Sequence, residues 1–393
     1  MFSKENKKNF LEKNHIQIDF EKVLFPLTLT QYVILSPKYY LCQNYISPNS
    51  IFTNFIIISL AMTIFISFLY FSFKYLITVQ IYLNDILVFL YYFEHLIYAF
   101  GLLVNVLFLI IQSSINVELI IRIQIIINNL KINKRDTRLI IIGNWIFCFL
   151  IFLFYLMNVY VQIFHVFMNY VNIFLSIFIL MPWDFNIVYA ARIIYLLRKE
   201  TESWIRHLKL LINAKNHREH DNLGNYHWQS ILKAYLAIID AYSTCEKITE
   251  IPLRHFFFQI IYHVVLTFIQ FITNVQTIIQ VIYERFQFKG LNSILLLCGM
   301  WTIKHAILLA LLCLECENFY TCLKNSQVAC LTTAYQNIPV SGRQVCKRLR
   351  KEGRKPVQPM TAKGFFQVDA ALPLHLFSIV ATYTVVLLQF NFL

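Results

Sequence analysis

Long apolar runs separated by polar stretches set the pattern of this chain. A helix needs about 20 mostly apolar residues to cross a bilayer. Seven runs meet that length: 51–73, 85–112, 139–160, 163–190, 255–282, 291–314 and 367–390. The first 50 residues open with SKENKKNFLEKN and hold no apolar run ahead of a small-residue cleavage site, so no signal peptide is expected and the amino terminus is expected to stay in the cytosol. Between the fourth and fifth runs, Trp228, Ile231, Leu232, Tyr235, Ile238, Ile239, Tyr242 and Cys245 recur at three- and four-residue spacing, the mark of a helix with one apolar face. The polar stretch 213–226 separates it from an extension of the fourth run through Trp204, Leu208 and Leu211. Such helices on one side of a membrane are expected to pack together or against a neighbouring subunit.

Composition sharpens the class. Hydrophobic residues make up 58% of the chain and charged ones 14%, too few charges to coat soluble domains of this length. The 36 Phe and 23 Tyr against 8 Gly exclude collagen-like, linker-rich and disordered chains. A net charge of +13 on a soluble protein would suggest nucleic acid, but its placement says more than its sum. Of 34 Lys and Arg, 29 lie in the first 50 residues and in the loops after the second, fourth and sixth runs. Lys74, Arg285 and Lys289 lie on the opposite side, Lys304 is placed within a span, and Arg192 at the inner end of the fourth. Basic residues are retained on the cytosolic side of short loops. Those four segments are therefore cytosolic, and seven spans put the carboxy terminus outside, the reverse of a G-protein-coupled receptor. The basic run GRQVCKRLRKEGRK, 342–355, reads as a positive-inside loop beside anionic lipid rather than a nucleic-acid patch.

Motifs of catalysis and cofactor binding are missing. GxSxG, P-loop and GxGxxG do not occur. Cys313 and Cys316 have a spacing that zinc sites use, but Cys313 is still in a span and, after Cys322 and Cys330, no His follows at finger spacing. Reduced structural thiols are expected. The nine cysteines, all in spans or on the cytosolic side, also give no secreted disulfide framework. His217 and His220 lack the HExxH order of a zinc protease. His95, His165, His263, His305 and His375 are scattered through the spans rather than paired at HxxxH spacing, which argues against a di-iron or haem enzyme. No metal, cofactor or enzymatic activity is expected.

Polar residues inside the spans are more informative. A charge at mid-membrane costs about 2.5 to 3.5 kcal/mol on insertion scales and is usually paired or faces water. Glu94 and Lys304 are placed at similar depth, either as a structural ion pair or as charges linked to a ligand. Gln270, Thr273, Asn274, Thr277 and Gln280 share one face of the fifth span in its outer half. That face is polar glue between helices or one wall of a pocket open to the outside, with aromatic walls from Tyr92, Tyr170 and Trp301. On the last span His375, Ser378, Thr382 and Gln389 form a narrower stripe, with Val385 and Val386 filling the turn between. In a monomer this stripe is a buried seam, and in a symmetric oligomer it is a pore wall. Gln389 and Phe390, at the outer mouth, point about 100° apart on a helix. A modest rotation would exchange a ring of Phe for a ring of amides, which makes the two residues a candidate gate.

Residues 382–390 read TYTVVLLQF and resemble the TYhhhhhQF signature of insect gustatory receptors, carried here by Thr382, Tyr383, Gln389 and Phe390. Upstream, TAKGFFQVD from Thr361 to Asp369 resembles that family's TAxGFFxhD approach to its last span, and Pro26-Leu27 through Tyr32 fits as well. The resemblance implies a tetrameric, ligand-gated, non-selective cation channel whose seventh span lines the pore. It also implies a ligand pocket in the outer half of the other spans and cytosolic helices that join subunits. Thr384 stands where sugar-sensing members have Glu, so a sweet ligand is not implied.

The expectation is an all-α membrane protein with seven spans, cytosolic helical extensions and a homotetrameric channel assembly. Residues 1–50 form a cytosolic segment and 51–314 a ligand-sensing six-helix bundle with cytosolic helical loops at 113–138 and 198–254. Residues 315–366 form a cytosolic loop with anchor helices, and 367–393 the pore helix. Ligand-pocket candidates are Tyr92, Glu94, Tyr170, Gln270, Asn274, Thr277, Gln280, Trp301 and Lys304. Expected partners are a small-molecule tastant, a bitter one among the candidates, cations, the lipid of the plasma membrane, and either copies of the chain or other gustatory receptor subunits. Nucleic acid is not among them. A G-protein-coupled receptor is disfavoured by the inverted topology and the lack of DRY-like and NPxxY-like motifs. A transporter is disfavoured by the lack of internal repeats and of broken spans rich in Gly and Pro. A non-conducting accessory subunit stays open.

Overall fold

The computed structural model describes residues 14–79, 85–130, 134–163, 170–213, 221–284, 291–334, 340–353, 359–361 and 366–392. Helix α1 (Ile18–Val33) leads into a two-stranded hairpin, β1 (Tyr40–Cys42) and β2 (Tyr45–Ser47). The long helices follow: α2 (Ile51–Val79), α3 (Asp85–Leu130), α4 (Lys134–Val161), α5 (Tyr170–Asn213), α6 (Asp221–Glu284) and α7 (Leu291–Ala334). Helix α8 (Val340–Gly353) and the last helix α9 (Leu372–Phe392) complete the chain. Among the described residues, α2, α3, α4, α5 and α7 are long and apolar enough to cross a membrane. Helices α6 and α9 carry the fifth and seventh predicted spans. The fold is thus that of an all-α membrane protein.

Helices α3, α5, α6 and α7 pack on one another through the centre, with α2 outside against α3, and α4 on α5. Each central helix outruns the bilayer. At a rise of about 1.5 Å per residue, the 46 residues of α3 and 44 of α5 and α7 reach well beyond a hydrocarbon core about 30 Å thick. The excess lies on the side that the basic residues mark as cytosolic. There Trp204 of α5 is fully buried, donates its indole N–H to the carbonyl of Ile231 at 2.9 Å and lies 5.1 Å from the Tyr235 ring. Arg198 to Glu315 at 3.2 Å and Arg122 to Asp240 at 3.0 Å tie α5 to α7 and α3 to α6. Helix α8 buries Val345, Cys346 and Leu349 against this bundle of rods.

One expectation about continuity changes. The apolar face from Trp228 to Cys245 is buried as its spacing predicts, but it is not a separate helix. It runs through Pro252 into the fifth span, so α6 is a single helix of 64 residues. A proline lacks one helix hydrogen bond and usually marks an end. Here tertiary packing of both flanks, with Leu253 and Phe256 fully buried, outweighs that loss.

The segment before the first span is tied into the bundle. The hairpin turns at Gln43 and Asn44, both with positive φ (51° and 63°), the conformation that two-residue hairpin loops require. Ser50 then caps α2 by accepting from the Thr53 N–H at 3.0 Å. Lys38 is buried with its ammonium 5.1 Å from the centre of the Tyr189 ring, and burial pushes its pKa down to about 8. Asparagines of the spans hold this segment from the other side. Asn144 of α4 donates to the Val23 carbonyl at 2.8 Å and accepts from the Arg192 Nε at 2.6 Å. Asn105 of α3 donates to the Ser36 hydroxyl at 3.3 Å and accepts from Asn186 of α5 at 3.0 Å.

Asn105, Asn186 and Ser36 are all buried, so removing the middle member leaves two polar groups unpaired. Each such group costs about 1 to 3 kcal/mol. Asn105→Leu is therefore expected to lower the thermal unfolding midpoint in detergent clearly. Leu107→Ala, at a position 58% exposed on the same helix, is expected to leave it nearly unchanged.

Candidate functional site

The most polar point inside the spans is built on Asp184 of α5. It is 1% exposed, and its carboxylate accepts from the Lys304 ammonium of α7 at 2.5 Å and from the Tyr155 hydroxyl of α4 at 2.8 Å. Asp184 is the fifteenth residue of α5 and Lys304 the fourteenth of α7. Counted from the outer helix ends, both lie about 20 Å in. The Lys304 ammonium also lies 3.8 Å from the centre of the Trp301 ring, with Phe154 and Tyr155 at 5.4 and 5.7 Å. Carboxylate and aromatic faces together take over the role of its hydration shell.

A second group continues from it toward α3. The His305 ring stacks on that of His263 of α6, with centroids 5.0 Å apart, and His263 lies flat on Trp301 at 5.5 Å. Nδ1 of His305 meets the Trp301 carbonyl at 2.8 Å, and since a carbonyl only accepts, Nδ1 carries the proton. Tyr98 of α3 donates to Glu94 at 2.7 Å and meets Nε2 of His263 at 2.7 Å. The five helices α3 to α7 thus each contribute a polar side chain to one chain of contacts. Its walls are aromatic, the combination that small-molecule sites use for shape and orientation.

The sequence-predicted residues are distributed as follows. Lys304 and Trp301 are brought together, but Lys304 pairs with Asp184 and not with Glu94, whose partner is Tyr98 on its own helix. Glu94, on α3, is linked to the cluster only through Tyr98 and His263. His263 and His305, scattered in sequence, are gathered by the fold. Tyr92 is half-buried against Phe73 at 5.5 Å. Tyr170, the first residue of α5, is 68% exposed. Gln270, Asn274, Thr277 and Gln280 belong to α6, with side chains outside those described. Sequence reasoning missed Asp184, Tyr155 and Tyr98. Only Asp184 had a signal, as the one carboxylate in the run 163–190.

The last helix stands apart. His375, Ser378, Thr382 and Gln389 are exposed, and so are the apolar Leu374 and Phe377 (72% each), Val385 and Val386. Its cap is well made, since Asp369 accepts from the backbone N–H groups of Ala371 and Leu372 at 3.1 and 2.9 Å. The side chains of Tyr383 and Phe390 lie outside those described.

Removing one member of a buried ion pair strands the other and typically costs about 3 to 5 kcal/mol, while replacing both often costs little. Lys304→Met is therefore expected to destabilise the protein by roughly that amount, and Asp184→Asn in the same chain is expected to restore most of it. Unfolding midpoints of the two single variants and the double variant measure this coupling. Additive losses would mean that the pair does not hold the bundle.

No protein-family model and no curated protein sequence matches the chain. Solved structures do. The insect olfactory receptor OR5 from Machilis hrabei superposes with a TM-score of 0.60 at 10% identity, over 94% of this chain and 97% of that one. The same receptor in complex with eugenol gives a TM-score of 0.60 at 13% identity, over 95% and 99%. Along nearly its whole length, then, the chain has the fold of an insect olfactory receptor.

Proposed function

We propose that the chain is a subunit of a tastant-gated, non-selective cation channel of the gustatory receptor kind, working in the plasma membrane of sensory neurons. Four copies surround a pore lined by α9, with His375, Ser378, Thr382, Val385, Val386 and Gln389 toward its axis and Gln389 and Phe390 at its gate. The observation that carries this reading is α9 itself. A span whose polar stripe is left uncovered by its own bundle cannot turn that stripe to lipid and needs water or other copies of the chain against it, while its exposed apolar residues suit lipid. The TYTVVLLQF sequence of that helix and the fold shared with an olfactory receptor support the same conclusion.

The ligand site in this reading is the aromatic and polar cluster around Trp301, Tyr155, Lys304 and His263, completed by the Gln270 to Gln280 face of α6. The similar receptor was solved with eugenol, a small aromatic molecule, and aromatic walls with a few placed polar groups suit a ligand of such mixed polarity. Eugenol is thus the first probe to apply.

The test is current through purified full-length protein in a planar bilayer with no G protein present. Cation current that passes without selection between sodium and potassium is expected. Cysteine at Ser378 or Thr382 is expected to let an aqueous thiol reagent reduce that current beyond its effect on the unsubstituted chain. Cysteine at Phe377, about 100° from Ser378 on the helix, is expected not to. Block from Phe377 alone would put the pore wall on the wrong face, and a silent bilayer would remove the channel reading.

A further inference from the structure

The described residues between α8 and α9 are fastened to α6 and α7 at a small joint. Residues on either side of 362–365 pair across it: Thr361 bridges Gln367 in antiparallel fashion, and the Val368 N–H donates to the Met360 carbonyl at 2.8 Å. Met360 and Val368 are fully buried. Two helices grip this closed loop. From α7, the Tyr320 hydroxyl accepts the Met360 N–H and bonds in turn to the Tyr242 hydroxyl of α6. From α6, Glu246 accepts the Thr361 N–H at 3.3 Å, and Thr249 donates to the Met360 sulfur at 3.6 Å. Phe366 stacks on Phe257 of the same helix at 3.8 Å. Tyr242, Glu246, Thr249 and Phe257 fall on one face of α6, which therefore presents a continuous seat to the loop.

Two features turn this joint from a local contact into a mechanical one. Downstream, Val368 and the capping Asp369 lead directly into α9, most of whose described side chains are exposed. Upstream, the same two helices carry the polar cluster. His263 lies about 21 Å along α6 from Thr249, and Lys304 about 24 Å along α7 from Tyr320, at a rise of about 1.5 Å per residue. Over those stretches each helix is continuous. A shift of α6 against α7 at the cluster therefore arrives at the Tyr242–Tyr320 contact, where one helix's hydroxyl holds the other's and both hold the loop.

The geometry points to Tyr320, Tyr242 and Glu246 as positioning residues that transmit movement of α6 and α7 to the pore helix. They touch neither the cluster nor the stripe. They set where α9 begins. The inference rests on the channel reading for its functional half, while the attachment itself does not depend on it.

Three variants of the full chain test it. Tyr320→Phe removes the acceptor for the Met360 N–H, Glu246→Leu removes the acceptor for the Thr361 N–H, and Glu246→Gln keeps a carbonyl oxygen in that place. In lipid nanodiscs, amide hydrogen exchange over 366–376 is expected to speed at least tenfold in Tyr320→Phe and Glu246→Leu and to stay within threefold of wild type in Glu246→Gln. In planar bilayers without added ligand, the first two variants are expected to change the fraction of time open at least threefold, with the conductance of each opening unchanged. A merely structural role would lower the yield of folded protein and leave the openings of the folded fraction as they were, and that result would overturn the inference. Unchanged exchange in Tyr320→Phe would overturn it too. If the wild-type protein passes no current, the channel reading falls and the exchange measurement alone decides whether the joint holds α9.

Discussion

A lysine in the middle of a bilayer must have its charge answered from within the protein, and here Asp184 answers Lys304. The answer needs more than proximity. Tyr155 takes part of the carboxylate, Trp301 covers the ammonium, and His305 and His263 stack behind it. Each member comes from a helix that must hold its depth and rotation for the contact to exist, so the pair fixes the mutual setting of α4, α5 and α7. His263 and Tyr98 extend that setting to α6 and α3. Apolar contacts between spans have no hydrophobic drive in lipid, where tails are as apolar as leucine side chains. Directional polar contacts and close packing then specify the bundle.

The same logic recurs toward the cytosolic side with amides instead of charges. Asn105 and Asn144 satisfy a hydroxyl and a backbone carbonyl of the segment that precedes the first span, with Asn186 donating to Asn105 from behind, and so pull that segment against the spans. Beyond the bilayer, where water drives burial again, Trp204, Tyr235 and their neighbours close an ordinary apolar core. The long helices belong to both environments at once. A displacement at the membrane end of α6 or α7 is therefore felt in the cytosolic rods, and the loop gripped by Tyr320 and Glu246 lies where the rods meet α9.

Much of this was legible in the sequence, for reasons that differ by residue. The spans were readable because membrane crossing is a demand on about 20 residues at once, which no single substitution hides. The buried face from Trp228 to Cys245 was readable because helical spacing is local. The join of that face to the fifth span was not, because Pro252 reads as a stop and only packing on both flanks overrides it. The partner of Lys304 was not readable for a related reason. Counting along a span gives depth, but which helix faces which is a property of the whole bundle. Glu94 bonds Tyr98 of its own helix instead, while Asp184 was in view as the only carboxylate of its run. Tyr98 and Tyr155 carried no signal among 23 tyrosines. The last helix is the opposite case, since its stripe and its TYTVVLLQF sequence are local patterns that mark it without reference to any other helix.

The central claim is that α9 is left uncovered because copies of the chain complete it around a pore. Single-particle imaging of the purified full-length protein in lipid nanodiscs tests this most directly. The account predicts a fourfold-symmetric particle with one α9 from each copy at the axis and the Ser378 and Thr382 side of the helix toward it. A monomeric particle with α9 folded back onto its own α6 and α7 would contradict the account.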